Sequence, residues 1–489
     1  MSGNPSFTIA SPSQIAQGLF ENASGNPPAL PECWTATALL TPFGGLSASA
    51  PLQSSDELVV ARLYYDASHG DVTFLRTRLY LLESGLFYDF GFVTSSTETS
   101  WYWIISDPAD PDPNPKPIQA YGPYLTSTRV PDAQFLATAM FSYVGTWDVV
   151  NQPCDGYSAP DAHNIKGAAT WFSFLSGTST LSRVMNVDNT NDCMVPVLGA
   201  YYLANMTTFG PCAASPSIVA QLPHAKGAVT SGPSPMVTLA DLQFAMANAP
   251  AGAPAVGCTP QDIAAVIPGI SVPPSQPVPP AWSNQMQSAC YMMGQDAYPY
   301  YCQVYYDYTV NQSQTSVFVT TDPSVSSQPY NVRQDMVLPY GTRGPSINYQ
   351  WDLEAGQWQP SCFTTNGGDV PMPVPDFVAA GDGRCRAVIV NNPYFGAGDT
   401  ISIWSVALAG QTGWSDFWYW FNSADQGIVF SLAPAASLTM IDYQTFIQNR
   451  PFPPGTFTEP VAGLPQCPSA ATARREKVKF IPKGGYPQG

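Results

Sequence analysis

The sequence predicts a mainly β protein: two tandem antiparallel modules with curved sheets, and only a few short helices. Three observations predict it. A set of landmarks recurs in one order along the 489-residue chain. Short aromatic and β-branched runs, separated by turn residues, fill both copies. Aromatic residues (12%) outnumber charged ones (11%), which suits packed, pleated surfaces and argues against disorder.

The repeat begins with a helix start. Ser11-Pro12-Ser13-Gln14-Ile15-Ala16 and Thr259-Pro260-Gln261-Asp262-Ile263-Ala264 each offer a hydroxyl N-cap and a proline at the first helical position. Ser11 stands 23 positions before Trp34 of Pro31-Glu32-Cys33-Trp34, and Thr259 stands 23 before Trp282 of Pro279-Pro280-Ala281-Trp282. Next come Arg62-Leu63-Tyr64-Tyr65-Asp66 and Gln303-Val304-Tyr305-Tyr306-Asp307, each a strand that ends in a turn. Met206-Thr207-Thr208-Phe209 and Tyr443-Gln444-Thr445-Phe446 come late in each copy, followed by Cys212 and Cys467.

Between the landmarks lie the strand candidates. In the first copy they are Leu58 to Tyr65, Val72 to Leu82, Leu86 to Val93 and Trp101 to Ile105. In the second they are Cys302 to Tyr308, Ser316 to Thr320, Ile347 to Trp351, Thr400 to Leu408 and Trp418 to Phe421. The resulting division is a first module at 1–212 and an Ala/Pro/Gly-rich linker at 213–257, with a helix near 238–248. A second module at 258–469 and a basic tail at 470–489 complete it.

The paired Pro-x-x-Trp segments, Tyr-Tyr-Asp strands and closing cysteines resemble the lipoprotein-carrier (LolA-like) fold, which a violacein-pathway enzyme shares. The resemblance covers about two fifths of each module at pattern level. It implies half-barrel sheets around a hydrophobic cavity plugged by helices. It carries over no catalytic residue.

A net charge of −17 disfavours nucleic acid and anionic lipid surfaces as partners. No apolar run is long enough to form a transmembrane segment, and no signal peptide is visible. The ten cysteines are Cys33, Cys154, Cys193, Cys212, Cys258, Cys290, Cys302, Cys362, Cys385 and Cys467. An even number without a Cys-x-x-Cys pair reads as disulfides, and so as an extracellular or secretory-pathway protein. The spacing leaves the connectivity open. Asn22, Asn205 and Asn311 are glycosylation candidates in Asn-x-Ser/Thr sequences.

Catalytic and metal signals are absent from the sequence. His69, His163 and His224 fall in no metal or nucleophile-elbow spacing, so neither a cofactor nor a metal is expected. Asp66 and Asp307 read as turn openers. Asp107, Asp110 and Asp112 read as a stiff, extended, solvated loop rather than a calcium site, and Asp188, Thr190 and Asp192 lack the rest of a calcium loop. The aromatic residues are more informative. Trp101/Trp103 and Trp418/Trp420 each put two indoles on one sheet face, and Tyr65 and Tyr306 occupy matching places in the repeat. These six are the ligand-binding candidates. Five basic residues (Arg474, Arg475, Lys477, Lys479, Lys483) make the tail a candidate for self-association.

The expectation is a non-enzymatic protein that holds a lipid or other hydrophobic small molecule. One alternative is an extracellular structural protein that self-associates. A weaker one is an enzyme that acts on an aromatic intermediate without conventional catalytic residues.

Overall fold

The computed structural model describes residues 26–42, 57–126 apart from 71 and 97, most of 130–160, 169–187, 201–212, 257–293, 299–309, 313–320, 331–337, 346–352, 357–365, 368–369, 374–432 apart from 397 and 407–416, and most of 439–457. The expected helices at Ser11 and at 238–248, and the basic tail, lie outside the described residues.

The protein is mainly β, with two open antiparallel sheets. The first comprises β1 (Cys33–Pro42), β2 (Val59–His69), β3 (Val72–Leu81), β4 (Phe87–Thr94), β5 (Thr99–Ile105), β6 (Gln119–Thr126), β7 (Ser142–Val149), β8 (Gln152–Pro160), β9 (Ala169–Leu175), β10 (Leu181–Val187) and β11 (Tyr201–Pro211). Its order is β6-β5-β4-β3-β2-β1-β11-β10-β9-β8-β7. The second comprises β12 (Ile270–Ser271), β13 (Gln285–Met293), β14 (Tyr300–Asp307), β15 (Ser313–Thr320), β16 (Asn331–Val337), β17 (Ser346–Asp352), β18 (Gln357–Thr365), β19 (Gly368–Asp369), β20 (Arg384–Val390), β21 (Thr400–Val406), β22 (Phe417–Phe421), β23 (Gly427–Leu432) and β24 (Thr439–Gln448). Without its two-residue edge strands β12 and β19, its order is β18-β17-β16-β15-β14-β13-β24-β23-β22-β21-β20, the same permutation.

The likeness extends to irregularities. The β1–β11 register slips beside Thr207, and the β13–β24 register slips beside Gln444, the same position in Met-Thr-Thr-Phe and Tyr-Gln-Thr-Phe. The segment after each Tyr-Tyr-Asp is also held alike. Asp66 Oδ1 accepts from the backbone N–H (2.9 Å) and hydroxyl (2.6 Å) of Ser68. Asp307 Oδ1 accepts from the backbone N–H (2.9 Å) and hydroxyl of Thr309. Asp307 thus ends its strand in a turn, as its place predicts, whereas Asp66 makes the same contacts at an irregularity near the end of β2, which runs on to His69. His69 Nε2 lies 3.3 Å from Asp66 Oδ2.

Chain length requires the first sheet to curl. β6 and β7 are opposite edges and run in the same direction, so the link between them must cross the sheet and also travel a strand length. On a flat sheet that distance is about 54 Å. The link, with helix α1 (Phe135–Thr138) inside it, reaches just under about 50 Å. It also sinks Val130, Leu136 and Phe141 into one face of the sheet. The second sheet repeats the device with α3 (Phe377–Ala380), which buries Val378.

Helix α2 (Pro260–Val266) starts at the Thr259 cap and Pro260 that its sequence predicts, and closes them with a capping box. Thr259 Oγ1 accepts from the Asp262 N–H (3.3 Å), and Asp262 Oδ2 accepts from the Thr259 N–H (2.7 Å). The helix precedes the second sheet but lies on the first. The Cys258 N–H donates to Gly85 O (2.8 Å), and Arg62 donates to Ala265 O (3.3 Å).

The modules share one core. Outer-face residues of the first sheet (Val60, Tyr80, Trp147, Trp171) pack in one cluster with Ile263 and Val266 of α2 and with Tyr291, Ile403, Trp418 and Trp420 of the second sheet. Arg183 lies at its centre, fully buried, donating to Asn205 Oδ1 (2.7 Å) and to Asp442 Oδ1 and Oδ2 (2.6 and 2.5 Å). Asn205 and Asp442 hold the same position in the repeat, one residue before Met206 and Tyr443.

Trp147 stacks on Tyr291 (5.6 Å) and donates its indole N–H to Asp442 (3.2 Å). A Cβ on Gly156 would lie 1.9 Å from the Trp147 ring. Gly156→Ala must therefore expel that indole, and the expected loss is about 3 kcal/mol. The denaturant midpoint measures it, and a loss under about 1 kcal/mol would show that the ring has room to shift.

The acidic Pro-rich loop is largely exposed, as a solvated segment would be, but it is anchored rather than free and extended. It folds onto three buried arginines, Arg62, Arg76 and Arg78, on the outer face. Its carbonyls accept from them: Asp107 (2.5 Å) and Asp112 (2.9 Å) from Arg78, Asp110 from both Arg62 (2.7 Å) and Arg78 (3.0 Å), and Pro115 from Arg76. The carboxylates of Asp107, Asp110 and Asp112 cap the loop's own N–H groups two residues on, at 2.9 to 3.0 Å. Prolines make this possible, because they leave the carbonyls without competing N–H donors of their own. Asp89 is the buried carboxylate of the cluster, 2.7 Å from Arg76.

Candidate functional site

In both modules the inner face, on which α1 or α3 lies, is aromatic. In the first, Trp34 stacks on Tyr65 (5.1 Å) and packs on Phe209 (5.3 Å). In the second, Trp282 meets Tyr306 (5.4 Å) and Phe446 (6.1 Å). The landmarks of the sequence repeat thus converge as a Trp-Tyr-Phe trio in each module. Phe135 of α1 packs on Phe172 (6.4 Å), and Phe377 of α3 packs on Tyr419 (4.8 Å), which hold equivalent places in β9 and β22. Such ring pairs are each worth about 0.5–1.5 kcal/mol beyond their area.

The inner faces carry none of the buried charges among the described residues. Arg62, Arg76, Arg78 and Asp89 alternate to the outer face, while Arg183, Asp442 and Arg386 serve contacts between modules. Asp66 and Asp307 cap N–H groups two residues on, and Glu57 accepts the Glu83 and Ser84 N–H groups. Trp34 and Trp282 each bury an indole N–H without an acceptor, as does Trp404 beside Tyr419.

The second module has a more open inner wall. Tyr419 and Tyr443 retain accessible surface, yet burial raises both phenols well above their ordinary pKa. The rings form a path: Tyr419 to Phe377 (4.8 Å), Phe377 to Trp282 (4.7 Å), Trp282 to Phe446 (6.1 Å), Phe446 to Tyr443 (5.4 Å). Gly427 lies under Tyr443 and Phe446, where a Cβ would come within 3.0 Å of the Tyr443 ring. Where the path reaches the surface, Trp282 and Phe446 help line a cleft of about 570 Å³.

All six predicted aromatic residues are buried, but not together. Tyr65, Trp101 and Trp103 share the inner cluster of the first module. Tyr306 lies on the inner face of the second. Trp418 and Trp420 do share a face, but that face is turned to the first module, and their inner-facing neighbours are Tyr419 and Phe421. The two Trp-Tyr-Trp segments are also not equivalent, since β22 corresponds to β9 and β5 to β17. The short helices α1 and α3 are not marked by any periodic pattern, and their one shared signal is Pro131-Asp132 two residues before Phe135-Leu136 and Pro375-Asp376 directly before Phe377-Val378.

Two disulfides form among the described residues, Cys33–Cys212 and Cys290–Cys302, and they suit an oxidising environment. Cys154, Cys258 and Cys385 correct the disulfide reading and are thiols. Burial pushes all three up to about 11, which keeps them protonated and poor nucleophiles at neutral pH. Cys193 and Cys467, and the Cys362 side chain, lie outside the described residues. Asn205 is removed as a glycan site, because its amide is fully buried against Arg183. Asn22, Asn311, His163, His224 and the Asp188–Asp192 stretch also lie outside the described residues.

Among the described residues no group of three His, Cys, Asp or Glu side chains is gathered to hold a metal. No helix among them is long and apolar enough to cross a membrane. No family model matches the chain, and no curated protein does.

Proposed function

We propose that the protein is a non-enzymatic carrier that holds a lipid or another hydrophobic small molecule against the inner aromatic faces of its modules. One observation carries the reading. Both sheets keep an aromatic, uncharged inner face under a short helix, with the same trio at Trp34–Tyr65–Phe209 and Trp282–Tyr306–Phe446. A mostly apolar concavity with a few polar groups is the usual form of a small-molecule site. The common strand order supports a tandem duplication and the likeness to lipoprotein carriers, and the disulfides support secretion.

Native mass spectrometry of the purified protein, before and after mild denaturation, tests this. The expected result is a released mass of a few hundred daltons. A bare chain mass, with no uptake of a hydrophobic dye, would overturn the reading. If that bare mass appears as a ladder of oligomers, it favours a self-associating structural protein instead.

A further inference from the structure

We propose that the second module binds an amphiphile with an uncharged polar head. Its apolar part lies on the inner aromatic wall and its head in the surface cleft beside Asp425. The inference rests on the carrier reading and names the ligand class and the mouth of the site.

Three features point to it. First, Trp282 and Phe446 belong both to the inner aromatic cluster and to the cleft, so the aromatic wall reaches the surface at these two rings. Second, the wall holds donors that lack acceptors. The indole N–H groups of Trp282 and Trp404 are buried and unpartnered. Trp420 in the inter-module core has the same defect, so a bare indole alone marks nothing. Of the two on the inner wall, Trp282 lines the cleft, where a carbonyl or ether oxygen of the head would supply its acceptor.

Third, the chemistry of the cleft selects the head. Its rim carries Ser283, Gln426, Gln448 and Asn449, and Asp425 is the one ionisable side chain among the lining residues. Gln448 ties the cleft together. Its Oε1 accepts from the Ser283 N–H (2.6 Å), and its Nε2 donates to the carbonyls of Ala424 and Asp425 (3.4 Å each). Asp425 and Asn449 sit in left-handed turns at φ +55° and +56°, which fixes the rim. Hydroxyl and amide groups suit a neutral head. A carboxylate or phosphate head would face Asp425 with no base to offset it.

The test uses the full protein at pH 8, with brominated monoolein, oleate and oleylamine as quenchers of tryptophan fluorescence. Monoolein is expected to bind at least tenfold tighter than either charged analogue. Asp425→Asn, which tolerates the same turn, should raise oleate affinity severalfold, leave monoolein unchanged and preserve the circular dichroism spectrum. Equal binding of oleate and monoolein, tighter binding of oleylamine, or an oleate affinity indifferent to Asp425→Asn overturns the head assignment alone. If none of the three binds, the carrier reading fails with it.

Discussion

Replacing Cys33 and Cys212 together by serine is expected to cost the fold about 5 kcal/mol, against about 3 kcal/mol for the Cys290/Cys302 pair. The difference follows from loop length. The first bridge spans a sequence separation of 179 residues and the second only 12, so the first restricts the unfolded chain far more. Their positions reinforce this. Cys33 opens β1 and Cys212 follows β11, so the bridge ties the first module's two ends across neighbouring central strands. The second bridge links residues already paired across β13 and β14. Guanidinium denaturation of the two double variants measures the contrast. Equal losses would show that the unfolded chain is already compact around the first module.

Replacing Arg183 by methionine is expected to cost about 4 kcal/mol at pH 7, because it leaves Asp442 buried without its cation. The loss should depend on pH. Burial raises the Asp442 carboxyl above its ordinary value, and Arg183 opposes that rise. Without the arginine the folded-state value climbs further, so the folded variant takes up a proton more readily than the unfolded chain. The deficit is therefore largest above the raised value and shrinks as pH falls through it toward the ordinary carboxylate range. Denaturant midpoints at pH 7 and pH 5 should converge on those of the unaltered protein at the lower pH. A deficit that stays constant with pH would mean that lost packing of the arginine stem dominates.

The sequence carried the fold wherever local chemistry decides structure. The nine strand candidates coincide with β2, β3, β4, β5, β14, β15, β17, β21 and β22, because aromatic and β-branched runs between turn residues leave few other conformations. Thr259-Pro260 was legible as a helix start for the same reason. Strands such as β7 (SYVGTWDV) and β8 (QPCDGYSAP) were not, since glycine, proline and aspartate within them weaken the pattern. For the site, the Trp-Tyr-Phe trios were present as repeat landmarks, but only strand pairing brings their members together. The orientation of Trp418 and Trp420 was hidden for a different reason. Period two says which residues share a face, and not whether that face meets a ligand or another module. In the loop of Asp107 to Pro117 the anchoring was hidden, because its packing uses carbonyls, which every residue has.

The shared core also sets a schedule for biosynthesis. The first module is complete once Cys212 has emerged, yet part of its outer face, with Val60, Trp147 and Trp171, is covered only by α2 and the second sheet. The last of that cover, Met440 with the neighbouring Asp442, arrives with β24, some 230 residues later. At translation rates of roughly 5–20 residues per second, a folded half-molecule waits about 10–50 s with an uncovered apolar flank and an unpaired arginine. During that interval the nascent chain is most exposed to aggregation and has greatest need of a chaperone. Arrest between the modules would release a product that is folded but adhesive.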